Sequence, residues 1–349
     1  MKPVTVPFFI SHQGCPHTCV FCDQRTISGA NGDLPTAIQI SDRIALWRST
    51  AGDRPLEVAF FGGTFTALPE ETQAGLLAPL QPLLKDGTVD SIRISTRPDC
   101  IDDERVLWLA DRGVRTIELG VQSMSDAVLA ASGRGHTAAA SVHAIHCVKK
   151  QGLTVGAQLM PGLPGDTPAA ALSSLEQVIA AGADFLRIYP TVVLRGTELA
   201  RRYAVGGFTP LSLDRGVSLC KLMLQRAMQA GVPVIRIGLQ ADQTLNVESV
   251  LAGCWHPALG QLVRSQLYSD LISRFVAPGQ CATVYCNPAR LSDVVGGKRG
   301  NVQKQIERGV QLQVVTDAAV KKEELKVEID NICINYSIIN DLHYSIDEV

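Results

Sequence analysis

Residues 7–22 read PFFISHQGCPHTCVFC and join a strand-like apolar run, Pro7 to Ser11, to three closely spaced cysteines. The cysteines are Cys15, Cys19 and Cys22, in a C-x3-C-x2-C spacing. Thiolates this close together on one loop can converge on a soft metal. The stretch therefore predicts a metal centre at the end of a strand.

Two kinds of metal centre fit these thiols. Tetrahedral zinc usually needs a fourth ligand, and His12 or His17 is near enough in the chain to supply it. A four-iron cluster held by three thiolates instead keeps one iron open for an exogenous ligand, which an enzyme can use. The triplet alone leaves both interpretations open.

The composition sets broad limits on class and location. A chain of 349 residues allows one large or two modest domains. A formal net charge of −2 argues against binding of nucleic acid or membranes through bulk charge, although a local basic patch stays possible. Ten cysteines without an N-terminal secretory signal predict a cytoplasmic protein. No apolar run approaches the roughly 20 residues that a membrane-spanning helix needs.

Up to about residue 195 the chain alternates strand-like and helix-like segments. The strand-like runs are residues 7–11, 56–61, 91–96, 116–121, 154–160 and 185–193, and helix-like runs include 36–49, 70–84, 137–151 and 168–181. Such a succession of strand–helix units predicts a parallel α/β sheet, in which function collects at the carboxyl ends of the strands. Periodicity does not distinguish an open sheet from a barrel.

Motifs with polar residues and glycines follow the predicted strands. They are the cysteine triplet, Gly62-Gly63-Thr64, Thr96-Arg97-Pro98, Gln122-Ser123 and the PGLPG run at 161–165. All would meet at one rim of the sheet. Paired glycines there allow backbone groups to approach a ligand closely, although an ordinary tight turn explains them as well.

The cysteine spacing, with Phe21 before the last cysteine, resembles the signature of the radical S-adenosylmethionine (SAM) superfamily. The resemblance implies an enzyme with a partial (β/α)6 barrel, a 4Fe–4S cluster on Cys15, Cys19 and Cys22, and SAM on the open iron. It further implies an external one-electron reductant. SAM would be cleaved to methionine and a 5'-deoxyadenosyl radical, which abstracts hydrogen from a substrate.

Within that superfamily, the motif order resembles the Elongator catalytic subunit and oxygen-independent coproporphyrinogen oxidase. The order is Gly-Val-Gln at 120–122, Ser-Gly-Arg at 132–134 and Met-Pro-Gly-Leu-Pro at 160–164. It implies that Gln122 and Gln158 hydrogen-bond SAM and that Arg134 pairs with its carboxylate, a partner that suits a planar guanidinium.

Two further motifs carry the same resemblance. Gly62, Gly63 and Thr64 would receive the SAM amino group through backbone carbonyls, with Thr64 in place of the usual acidic residue. Thr96 and Arg97, with Asp99 after Pro98, resemble an Elongator-like Thr-Arg-Pro-Asp run and would contact SAM or substrate. A turn started by the proline explains that run structurally.

Residues 187–199 resemble the Elongator-type Tyr-Pro-Thr-Leu-Val-Ile-Arg-Gly-Thr stretch. Tyr189 and Arg195 would then face the mouth of the active site. Tyrosine is more often half-buried core, which is the alternative for Tyr189.

Beyond residues 1–200, which we assign to the barrel, we expect a helical extension at 201–275 that caps it and a small α+β region at 276–349. The latter has a strand, helix, Gly297-Lys298-Arg299-Gly300 turn, helix and strand, which resembles the core of a KH-type module. Lys298 and Arg299 would lie over the phosphates of RNA. The alternative is a plain helix–turn–helix that only packs on the barrel.

The resemblance predicts a stand-alone enzyme, because the chain has no room for the acetyltransferase domain of the Elongator subunit. Its preferred substrate is a modified nucleobase or tRNA-related molecule, as for queuine-salvage lyases. Tetrapyrrole oxidation of the coproporphyrinogen oxidase type is the alternative within enzymes, and a non-catalytic metal-binding RNA adaptor is the alternative outside them. No residue is identified as a catalytic acid or base.

Overall fold

A computed structural model of the protein describes residues 3–10, 13–23, 33–239, 245–246 and 248–348. The chain divides into two compact units. The first contains Met1–Leu211 and Val232–Trp255, and the second contains Ser212–Gly231 and His256–Val349. Ser11, the predicted end of the first strand, and His12, a candidate zinc ligand, lie outside the described residues.

The first unit is built on a parallel sheet with strand order β1-β2-β3-β4-β5-β6-β8. Its strands are apolar and largely buried because helices follow them, as in α/β folds. The sheet curls into a partial barrel, which confirms the predicted fold class. The strands of this unit are β1 Val4–Phe9, β2 Leu56–Phe61, β3 Ser91–Thr96, β4 Val114–Gln122, β5 Thr154–Leu159, β6 Phe185–Ile188, β7 Val192–Leu194, β8 Val234–Ile237 and β9 Val250–Gly253.

Helices connect these strands, and several of them begin at a side-chain cap. The Thr36 hydroxyl accepts from the Gln39 amide in a capping box, and Thr137, Thr167 and Thr197 cap later helices in the same way. The helices are α1 Ala37–Ala51, α2 Glu70–Leu77, α3 Gln81–Lys85, α4 Asp103–Asp111, α5 Asp126–Ala131, α6 Ala138–Lys150, α7 Pro168–Ala180 and α8 Glu198–Ala204.

Prolines divide two predicted segments. The helix predicted at 70–84 is interrupted by a 3-10 turn at Ala78–Leu80, where Pro79 and then Pro82 lack the amide hydrogen that a continuous helix needs. The strand predicted at 185–193 is likewise two strands separated by Pro190. β6 stays in the parallel sheet, whereas β7 pairs antiparallel with β9.

The parallel sheet also contains a strand that the barrel prediction did not include. Val234–Ile237, which lie within the region 201–275 that we assigned to a helical extension, form β8, which pairs in parallel with β6 at the edge of the sheet. The described part of the sheet therefore has seven strands where six were predicted.

The second unit has a four-stranded sheet with order β11-β10-β12-β13, in which β10 and β11 are parallel. Tyr268 is fully buried among its helices, and the Phe275 and Tyr336 rings stack with centroids 3.7 Å apart. Its elements are α9 Leu213–Gln229, α10 Leu259–Phe275, β10 Cys281–Cys286, α11 Leu291–Val295, α12 Gly300–Glu307, β11 Gln311–Thr316, β12 Glu324–Ile329 and β13 Ile332–Ser337.

No helix among the described residues is both long and apolar enough to span a bilayer.

Candidate functional site

The cysteine loop follows β1 and is anchored by its own aromatic residue. Phe21 is buried in an apolar cluster with Leu163 and Leu199, and the Leu199 amide donates to the Val20 carbonyl at 2.8 Å. These contacts fix the backbone between the cysteines. The aromatic position of the motif therefore has a packing role in the loop.

The three thiols are free and lie close together. Cys19 is buried, and Cys15 and Cys22 are half-buried. Burial, and then the nearby Cys19 and Cys15, together raise the pKa of Cys22 to about 12 against the opposing effect of Arg134. Three thiols in one desolvated site favour a bound metal centre, which takes them as thiolates.

The arrangement of the thiols fits a cluster better than a single zinc ion. In the described part of the chain, no three His, Cys, Asp or Glu side chains converge as ligands of one ion. Zinc requires all its ligands about 2.0–2.3 Å from one centre, whereas each thiolate of a cluster binds a different iron. His17, the described candidate for a fourth zinc ligand, instead lies against Gly135, whose added Cβ would be 2.4 Å from the ring.

The glycine motif after β2 lies directly against the cysteine loop. The Thr64 amide donates to the Gln13 carbonyl at 2.8 Å, and the Thr64 hydroxyl is 3.4 Å from the Cys15 sulfur. Gly63 has φ +58°, and a Cβ there would be 2.4 Å from two backbone oxygens. Only glycine permits this approach. Gly62, also at positive φ, completes the turn.

Arg134 joins the cysteine loop to the end of β4. Its Nη1 donates to the Cys19 sulfur at 3.3 Å, and its Nη2 donates to the Gly120 carbonyl at 2.6 Å. Its Nε is buried without a partner among the described residues. The guanidinium is thus placed beside the thiols with its Nε donor unused.

Gln122 and Arg134 lie together over Gly120, and we call these three residues the Gly120 shelf. A Cβ on Gly120 would be 3.0 Å from Gln122 Nε2 and 3.3 Å from Arg134 Nη2. Gln122 has φ +70°, at the β4 irregularity, and its buried Oε1 has no partner within the described structure. Buried polar atoms without partners mark a place where a ligand can bind.

The Thr96-Arg97-Pro98-Asp99 run contacts the Gly120 shelf through the backbone of Arg134. The Thr96 and Thr66 hydroxyls are 2.6 Å apart. Arg97 makes two 2.9 Å hydrogen bonds to Asp99 and also donates to the Arg134 carbonyl. Burial acts to raise the pKa of Asp99, but the Arg97 hydrogen bonds outweigh it and leave that pKa lowered. These side chains are already paired with protein groups.

His136 holds the loop that contains Arg134, between α5 and α6, to β4. Its buried ring Nε2 is 3.2 Å from the Val121 carbonyl. Burial, and then the Arg134 charge, lower its pKa to about 4. His136 is therefore neutral near pH 7, and its proton stays on Nε2 to make this hydrogen bond.

The predicted SAM contacts divide between two places. Gly62, Gly63, Thr64, Gln122 and Arg134 gather around the cysteine loop. Gln158 does not join them, because its Nε2 donates to Glu118 Oε2 at 3.1 Å. Thr96 lies under the shelf with its hydroxyl paired. Tyr189 follows β6, whereas Arg195 is exposed and donates to the Glu248 carbonyl.

A buried charge network on the inner face of the sheet went unrecognised in the sequence. Arg93 binds Glu57 through Nε at 2.8 Å and Glu118 through Nη1 at 2.7 Å, and Arg187 binds Glu118 at 2.8 Å. Glu118 is fully buried. We call Glu57, Arg93, Glu118 and Arg187 the inner network. Its signal in the sequence is a charged residue within each of the four strands β2, β3, β4 and β6.

The comparisons with known proteins agree with this site. Residues 9–178 match the Radical SAM superfamily, and residues 183–269 match the Radical SAM C-terminal domain. Elongator complex protein 3 of Homo sapiens is 30% identical over 232 residues, 61% of this chain and 42% of that protein. The tRNA uridine(34) acetyltransferase of Methanocaldococcus infernus is 24% identical over 276 residues, 68% of this chain and 52% of that protein.

An uncharacterised protein of Methanocaldococcus jannaschii is 29% identical over 218 residues, 59% of this chain and 66% of that protein. The matched region thus spans from 42% to 66% of the length of these curated relatives. A solved structure of archaeal Elongator protein 3 from Methanocaldococcus infernus covers 95% of this chain and 76% of its own, with a TM-score of 0.63 and 19% identity. The chain belongs to the radical SAM superfamily, whose enzymes use a 4Fe–4S cluster and SAM.

Proposed function

We propose that this enzyme cleaves SAM reductively and uses the product radical to abstract hydrogen from a modified nucleobase or tRNA-related molecule. A bound 4Fe–4S cluster would supply the one-electron reduction that cleaves SAM to methionine and a 5'-deoxyadenosyl radical, with the electron provided by an external reductant. The observation that carries the proposal is the position of Arg134, which contacts both the Cys19 sulfur and the Gly120 carbonyl.

The chain's own residues would hold the two cofactors side by side. Cys15, Cys19 and Cys22 would bind the cluster. Arg134 would pair with the SAM carboxylate through a guanidinium that Gly120 and Cys19 already orient. The backbone at Gly62, Gly63 and Thr64 would receive the amino group. The unpartnered Gln122 Oε1 would accept a hydrogen bond from SAM.

The relatives support the substrate class. A tRNA uridine acetyltransferase and Elongator complex protein 3 both match this chain, over about half of their own length or less. A nucleobase substrate, as in the queuine lyases, is consistent with the similarity to these two relatives. The radical must be kept from water, so we expect the substrate to bind in the recess formed by the inner face of the partial barrel.

The Gly297–Gly300 turn of the second unit has features that support contact with RNA. Between α11 and α12, Lys298 has φ +51° and Arg299 has φ +62°, both exposed on the Gly297–Gly300 turn. Asn301 fixes this turn by donating to the Ser265 and Val294 carbonyls at 3.0 Å. Strands β10 and β11 flank the two helices in parallel. A rigid turn with two cations is suited to an RNA backbone.

The first experiment is anaerobic reconstitution with iron and sulfide, followed by reduction in the presence of SAM and chromatographic detection of 5'-deoxyadenosine. We expect product from the wild type and from Cys281→Ala, which removes an exposed thiol of the second unit, and none from Cys19→Ala. A zinc-loaded wild type without product would contradict the proposal and favour the metal-binding adaptor.

The substrate class is tested by adding candidate substrates to the same assay. We expect nucleosides or tRNA carrying modified bases to increase 5'-deoxyadenosine formation, and stimulation by coproporphyrinogen III alone would instead support tetrapyrrole oxidation. For RNA contact, Lys298→Ala with Arg299→Ala should weaken tRNA binding at fixed salt. Lys321→Ala with Lys322→Ala is the matched control, because it also removes two exposed cations from the second unit. Equal binding by both double variants would refute the RNA contact.

A further inference from the structure

Two arginines lie side by side on the inner face of the sheet. Arg187 of β6 is in direct register with Arg236 of β8, so both side chains project from the same face at the edge of the sheet. Tyr189 follows β6 on that face, and its hydroxyl accepts from Arg187 Nη1 at 3.0 Å. Like charges placed opposite one another in a sheet are destabilising unless another group compensates them.

Among the residues that the structure describes, no carboxylate pairs with the second arginine. Arg187 shares Glu118 with Arg93, and Arg93 also binds Glu57. Arg236 makes a hydrogen bond through Nε to the Gly238 carbonyl, and no acidic side chain in the described ranges forms an ion pair with it. Counted over the described side chains, the three guanidiniums thus face two carboxylates, which leaves one positive charge in excess on the inner face.

The same corner has hydrogen-bond donors without acceptors. The buried Arg187 Nε has no partner within the described structure. The Tyr189 hydroxyl uses its oxygen to accept from Arg187, which leaves its own hydrogen to donate. Burial raises the pKa of Tyr189 and outweighs the opposing effect of Arg187 and Arg236, so the hydroxyl stays protonated. Excess positive charge with free donors is suited to an anion.

We propose that Arg236, Arg187 and Tyr189 bind an anionic group of the substrate, a carboxylate or a phosphate, on the inner face at the β6–β8 edge. The inference rests on the proposed function, because it places the substrate within the partial barrel. The cofactor motifs follow β1, β2 and β4, whereas this pair lies on the last two strands of the sheet. An anchor here therefore orients the substrate from the side opposite the cysteine loop.

The test is anion-dependent thermal stabilisation of the reconstituted holoenzyme. Sodium phosphate and sodium acetate are titrated separately, with sodium chloride keeping the ionic strength constant. An anion that binds the folded protein raises its unfolding midpoint with a measurable half-saturating concentration. The variants are Arg236→Gln and Tyr189→Phe. Lys85→Gln, which removes an exposed cation of the same unit, is the matched control.

We expect the wild type and Lys85→Gln to respond equally, and the half-saturating concentration to rise roughly tenfold in Arg236→Gln, as for a lost charge-assisted hydrogen bond. Tyr189→Phe should show a smaller rise, and it tests the site even if Arg236→Gln fails to fold. A response to phosphate alone assigns a phosphorylated substrate, and a response to acetate alone assigns a carboxylate.

Two results overturn the anion site: a wild type that neither anion stabilises, and variants that respond as the wild type does. The stabilisation is read without turnover. Failure of the wild type to form 5'-deoxyadenosine would refute the proposed function separately.

Discussion

Arg134 donates a hydrogen bond to the sulfur of Cys19 across 3.3 Å, although 115 positions separate the two residues in the chain. The contact brings a fixed positive charge to the buried thiol. It also places the guanidinium where one group can serve both the cysteine loop and a carboxylate bound beside it. Two contacts fix the loop around Arg134. Arg97 donates to the Arg134 carbonyl, and His136 hydrogen-bonds the Val121 carbonyl.

Arg134 should control the affinity for SAM more than the presence of the cluster. In Arg134→Ala, we expect the iron and sulfide content to stay near that of the wild type, because the thiols remain. The dissociation constant of SAM should rise at least about tenfold with the loss of a charge-assisted pair. Equilibrium binding under anaerobic conditions measures it, and unchanged SAM affinity would refute the carboxylate role.

The Gly120 shelf should tolerate no side chain at its centre. In Gly120→Ala, the new Cβ would lie 3.0 Å from Gln122 Nε2 and 3.3 Å from Arg134 Nη2, so both groups must shift by a few tenths of an ångström. We expect weaker SAM binding with little change in thermal midpoint. Titration of the reconstituted protein with SAM measures the effect.

Gly75→Ala is the matched control for that substitution. Gly75 lies in α2 with open space around its Cβ position, so alanine there should stabilise the protein by about 0.5–1 kcal/mol and leave SAM binding unchanged. Equal SAM affinity in the two alanine variants would count against the shelf.

The inner network should be essential for stability. Glu118→Gln leaves Arg93 and Arg187 in a buried site without their shared carboxylate, a change that costs about 3–5 kcal/mol in buried ion pairs. Urea unfolding followed by circular dichroism measures the loss. Asp103→Asn breaks the exposed pair with Lys150 and should change little. Comparable losses in both variants would show that the inner network contributes no more to the free energy of unfolding than an exposed ion pair does.

The neutral His136 ring should make stability depend on pH. Its folded-state pKa of about 4 lies below the ordinary value of 6.5, so between these values the unfolded state binds more protons. The contribution is therefore complete above about pH 6.5 and is lost as the pH falls towards 4, by about 3 kcal/mol in total.

This pH dependence is checked by urea unfolding at intervals between pH 4 and 8. His136→Gln should lose the His136 part of the slope, whereas His146→Gln, which alters an exposed histidine on α6, should retain it. A wild-type slope in the His136 variant would contradict the assignment.

The partial barrel could be predicted from the sequence, and so could the rim at which the candidate site residues gather, because their signals are local. The spacing of Cys15, Cys19 and Cys22 lies within one loop, and each strand is a short apolar run that ends at a glycine or polar motif. The roles of Arg134 and Gln122 in binding SAM come from the family resemblance and stay predictions. The breaks caused by Pro79 and Pro190 were also local, and the strand and helix predictions overlooked them.

The sequence by itself determined that three cysteines lie close together on one loop and in which order the strands follow one another along the chain. Only the tertiary structure decided which side chains share a face. Arg187 meets Glu118 across 69 positions, and Arg236 lies beside Arg187 only because β8 pairs with β6 after a long excursion of the chain. Strand register and sheet curvature set these contacts. Register and curvature arise from the packing of the whole unit and not from any local run of residues.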